Sequence, residues 1–134
     1  LWNKYAAVVQ AEKISRVAVR YINRINIPLP LGDFSEYLRT VPEVSSDLPQ
    51  GLSGYIMHLA IPLEDIKCLC LLNEAIVSPS APETVSVVLD IDVFRTVELP
   101  TDQAELWDLV EVLRERKNLI FEACITDKAR ELFS

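Results

Sequence analysis

The sequence predicts an α+β domain: an antiparallel sheet of about four strands, a long C-terminal helix packed on one face, and a partial N-terminal helix. Three observations predict it. Hydrophobic residues alternate with a period of two along Arg16–Ile27 and again along Thr84–Phe94. Proline- and serine-rich segments separate the strand-like runs. Beyond residue 101 the period changes to 3.6, with Leu106, Leu109, Val110, Leu113, Ile120 and Cys124 on one stripe.

Taken in order, Leu1, Tyr5, Val8 and Val9 share one helical face, which predicts a helix from Leu1 to about Glu12. Arg16 to Ile27 is then a strand. Val17, Val19, Tyr21, Asn23, Ile25 and Ile27 lie on one side, and Arg16, Ala18, Arg20, Ile22, Arg24 and Asn26 on the other. Pro28 ends it. A long connection to Gln50 holds one short helix, with Asp33 as cap and Glu36 completing a capping box.

The second strand runs from about Gly54 to Ile61, with Tyr55, Met57, Leu59 and Ile61 on its apolar side. Pro62–Asp65 turns the chain into a third strand, about Lys67–Ile76. Ser78–Pro82 is a loop. The fourth strand, Thr84–Phe94, turns Val85, Val87, Leu89, Ile91 and Val93 inward. Pro100, Thr101 and Asp102 open the long helix, and Thr126-Asp127 is a second cap signal where it breaks. Trp2, Tyr5, Trp107 and Phe121 read as packing aromatics on helices.

Composition narrows the function classes. The 134 residues suit a single domain, 1–134, and 50% are hydrophobic, enough for a core without disulfides. No apolar run approaches the length of a membrane span. The three cysteines, Cys68, Cys70 and Cys124, are read as free thiols, which implies a reducing, cytoplasmic setting. A net charge of −7 argues against nucleic acid as a partner. The charge is uneven. Leu1–Arg24 carries Lys4, Lys13, Arg16, Arg20 and Arg24 against Glu12 alone, whereas Glu83–Glu111 carries eight acids against Arg95. Segments of opposite sign can meet each other.

The segments Arg16–Ile25 (RVAVRYINRI), Leu89–Asp92 (LDID) and Cys124–Phe133 (CITDKARELF) resemble the C-terminal half of a sporadically distributed family of uncharacterised prokaryotic proteins. The resemblance covers nearly the whole chain in the same order. It implies that the chain is the C-terminal part of a longer protein, and that the missing N-terminal half is its partner. It carries over no catalytic residue, substrate or cofactor.

The most specific constellation is the row Arg16, Arg20 and Arg24, spaced by ~13 Å on one strand face. Guanidinium forks bind phosphates or carboxylates. They also pair with acids, and Asp90, Asp92 and Glu74 are the expected partners on neighbouring strands. Asp90-Ile91-Asp92 is similar to the aspartate pair of haloacid-dehalogenase-type phosphatases, or to a divalent cation site. Phe94 departs from that motif, and the forty residues 95–134 are too few for that fold. Gly51-Leu52-Ser53-Gly54 lacks the second glycine of a nucleophile elbow. His58 is the single histidine, so any Ser–His or Cys–His system would need it. No metal or cofactor site is expected.

The expectation is therefore a non-enzymatic binding or protein-interaction domain, with a homo-oligomer as one form of assembly. Exposed apolar residues around Leu1, Trp2 and Tyr5 are the expected contact. The alternative is an anion-binding or phosphate-ester-cleaving domain that uses the arginine row and the aspartate pair.

Overall fold

The computed structural model describes the backbone of residues 2–11, 14–30, 32–79, 81–98 and 102–133, with side chains from Arg16 onward. The domain is α+β. Among the described residues its sheet has five antiparallel strands, β1 (Trp2–Ala11), β2 (Ile14–Pro28), β3 (Ile56–Leu63), β4 (Cys68–Val77) and β5 (Thr84–Glu98). Their order is β1-β2-β5-β4-β3. Two helices follow, α1 (Gln103–Cys124) and α2 (Asp127–Glu131).

The expected N-terminal helix is instead the strand β1. It pairs with β2 along its whole length, from Trp2 opposite Asn23 to Ala11 opposite Ile14. Aromatic and β-branched residues suit either reading, and a ladder of partners overrides a weak helical spacing. The side chains of Leu1, Trp2 and Tyr5, expected to form a contact patch, lie outside the described residues.

The other strands follow the sequence with small shifts. β5 continues to Glu98 because β2 begins at Ile14, its register partner. β3 runs through Pro62, which an edge strand tolerates because one side of it needs no donor. The turn into β4 is a 3-10 turn, Glu64–Ile66, closed by Lys67 in the left-handed region at φ 54°. The expected short helix after β2 is a 3-10 turn, Phe34–Glu36. Asp33 caps it by accepting from the Ser35 N–H, while Glu36 reaches Lys128 at 3.4 Å and so completes no capping box.

Alternation sends Val17, Val19, Tyr21, Ile25 and Ile27 of β2, Cys68, Cys70 and Leu72 of β4, and Val87, Leu89, Ile91 and Val93 of β5 into one core. Over them lies α1, through Leu109, Val110, Leu113, Lys117, Phe121 and Cys124. Asp102 caps α1 by accepting from Ala104 N–H, and Pro100 and Thr101 lie outside the described residues. Thr126 caps α2 through Ala129 N–H and also donates to the Glu36 carbonyl. Arg39 N–H donates to the Cys124 carbonyl, and Thr126 N–H to that of Tyr37. These bonds fasten the long connection to the joint between the helices.

Trp107 is corrected from a packing residue to an exposed one, on the solvent side of α1. All three cysteines are buried and free. Among the described residues no helix is long and apolar enough to cross a membrane.

Candidate functional site: the uncovered face of the sheet

Both helices lie on one side of the sheet, so its other face is uncovered by any described element. Register fixes what that face presents. Four transverse rows cross from β3 through β4 and β5 to β2: Ile56, Ala75, Val88, Arg24; His58, Asn73, Asp90, Ile22; Ala60, Leu71, Asp92, Arg20; and Pro62, Leu69, Phe94, Ala18. Arg16 follows, opposite Thr96. All six residues expected to form a site, Arg16, Arg20, Arg24, His58, Asp90 and Asp92, therefore stand on this one face.

Two of the three arginines are closed on aspartates. Arg20 makes a bidentate pair with Asp90, Nε to Oδ1 at 2.9 Å and Nη2 to Oδ2 at 2.5 Å. Arg16 reaches Asp92 Oδ2 at 2.7 Å, and its guanidinium lies 4.2 Å from the centre of the Phe94 ring. Both side chains lean the same way along β2. Arg20 stands opposite Asp92 yet bonds Asp90, and Arg16 stands opposite Thr96 yet bonds Asp92. The arginines remain about one third exposed, so each pair is a modest contributor, about 0.5–1 kcal/mol.

Arg24 breaks the pattern. The position one step along β5, where an acid would continue the ladder, is Ser86, and its hydroxyl donates to Asn26 Oδ1 at 2.7 Å. Arg24 is half-buried and has no ion-pair partner among the described residues. His58 is exposed, with Nδ1 2.7 Å from Asn73 Oδ1. It faces no serine or cysteine across the rows; its row partners are Asn73, Asp90 and Ile22. Among the described residues no three His, Cys, Asp or Glu side chains cluster as a metal site.

Glu74, expected among the acids available to the arginines, is on the opposite face. It lies in register with Leu89 and Met57, beneath α1, and is 1% exposed. Tyr55 Oη donates to its Oε2 at 2.9 Å, and Oε1 has no partner. Burial pushes its carboxyl up to about 7, against a smaller lowering by the Tyr55 hydrogen bond. In the same transverse row, across β5, Asn23 is fully buried with neither amide atom partnered.

Lys117 was also missed by the sequence reading. Its ammonium lies 4.5 Å from the Tyr21 ring centre, in the buried stripe of α1. Its spacing, four residues after Leu113 and four before Phe121, was the signal that could have found it. The thiols are poor nucleophiles. Burial, with the charges of Cys124 and Asp92, pushes Cys70 up to about 12, and burial, with Glu74, pushes Cys124 up to about 11.

A separate open cleft of about 910 Å³ lies along the long connection, lined in part by Phe34, Arg39, Val41, Leu52 and Val85. Its walls are almost entirely loop residues, whereas the sheet face is held by four ladders of backbone hydrogen bonds.

Compared with family models, curated proteins and solved structures, the chain finds no match.

Proposed function

We propose that this is a protein-interaction domain and that the uncovered sheet face is its contact surface. One observation carries the reading: apart from Asn73 and Glu74, β4 is apolar on both sides. Cys68, Cys70 and Leu72 face α1, while Leu69, Leu71, Ala75 and Val77 face away from it. An antiparallel strand with one face in water normally alternates apolar with polar residues; a strand apolar on both faces is built to be covered twice. Closure of Arg16 and Arg20 on aspartates supports the same reading, because paired charges fit a surface that another protein covers. The alternative, anion binding, rests on Arg24 alone.

Site-specific cross-linking tests the proposal. A photoreactive side chain at position 71 should give discrete adducts in cells, and one at position 115, on the solvent side of α1, should not. Adducts from neither position, or from position 115 alone, would sink the interaction reading.

A further inference from the structure

Resting on that reading, we infer that the partner of the uncovered face is the same face of a second copy of this chain. The two sheets stack face to face, with α1 of each copy on the outside.

Three features of the face argue for this occupant. The first is its division into lanes. Leu69, Leu71, Ala75 and Val77 of β4, with Val88, Phe94 and the 73% exposed Ile56 beside them, form an apolar lane interrupted at its middle by Asn73 and His58. Arg16–Asp92 and Arg20–Asp90 form a charged lane along β2 and β5. A two-fold axis lying between the sheets, across the strands, sets apolar lane on apolar lane and charged lane on charged lane. That is the self-complementarity an isologous contact requires.

The second is charge. Among the described residues the face carries Arg16, Arg20 and Arg24 against Asp90, Asp92 and, at the far end of β5, Glu98, and Arg24 has no ion pair. Placed level with the Ile22–Asp90 row, the same axis reverses the strand direction and sets Arg24 of each copy beside the Asp90–Asp92 stretch of the other. A carboxylate there can accept from more than one donor.

The third is area. Five strands at ~4.8 Å spacing and roughly eight residues at ~3.3 Å rise cover about 600 Å² per copy, or about 1,200 Å² for the pair, the lower bound of a stable interface. Stacked sheets need no new backbone hydrogen bonds; interdigitating side chains at ~10 Å separation suffice.

The test is sedimentation equilibrium of the 134-residue chain. A dimer with a micromolar dissociation constant is expected. Ile56→Arg alters a side chain already exposed in the single copy, so the fold persists, and the dissociation constant should rise about tenfold or more. Arg24→Glu should weaken the dimer by a similar factor. Trp107→Glu, on the exposed side of α1, should leave it unchanged. A monomer at every concentration overturns the proposal, as does a dimer lost in Trp107→Glu and indifferent to Ile56→Arg. If the chain is monomeric while position 71 still cross-links to other proteins, self-pairing fails and the interaction reading stands.

Discussion

Glu74 is the residue whose chemistry the fold changes most. Its carboxyl is buried, accepts one hydrogen bond from Tyr55 and leaves Oε1 bare, so the neutral form is favoured in the folded protein. The groups that face it are Tyr55, whose hydroxyl is itself raised by burial and by Glu74, and Cys124 of α1. Because the folded chain holds this proton more tightly than the unfolded chain, stability is fully present below about pH 4.5 and declines as pH rises to about 7. The loss is about 3 kcal/mol for this group alone, at ~1.4 kcal/mol per unit. Glu74→Gln should flatten that part of the stability–pH curve, measured by urea unfolding. An unchanged slope would exclude Glu74 as its source.

A second residue-scale prediction concerns Arg20 and Asp90. Arg20→Met alone leaves the Asp90 carboxylate unpaired, so it should cost more stability than Arg20→Met combined with Asp90→Leu. A double-mutant cycle on urea midpoints should return a coupling of about 0.5–1 kcal/mol in the single copy. Strictly additive losses would mean that the pair contributes nothing in solution. The meeting of this arginine strand with the Asp90–Asp92 strand was legible from face counting along each run. The misplacement of Glu74 has a local cause. Leu71 and Leu72 are adjacent and both apolar, so alternation along β4 could not say which parity faces the core.

At the scale of elements, α1 is fixed by its caps and its stripe. Leu113 sits in the middle of the helix, fully buried against the sheet. Leu113→Ala should therefore cost about 2–5 kcal/mol by chemical denaturation. A loss of a few tenths would mean that α1 does not pack through this residue. The caps at Asp102 and Thr126 were readable because they are short-range chemistry: one side-chain oxygen and an N–H two or three residues on. β1 was not readable, because its sequence satisfies the helical spacing and only the ladder with β2 decides between the two. Lys117 was hidden for a different reason. Its charge marks it as a surface residue, while its position places it over Tyr21, where an aromatic face receives the ammonium.

Among the described residues the molecule is a sheet with one covered and one uncovered face, and its strand order carries a consequence for synthesis. β1 and β2 form one hairpin, β3 and β4 another, and β5 lies between them, paired with both. The central strand is therefore the last of these five to leave the ribosome. Until residue 98 has emerged, each hairpin shows an open edge where β5 will sit, and the connection from residue 29 to residue 55 holds the two apart in sequence. Two open edges on one nascent chain are templates for pairing with the wrong strand. Insertion of β5 closes both at once, and it must come before α1 has a complete surface to pack on.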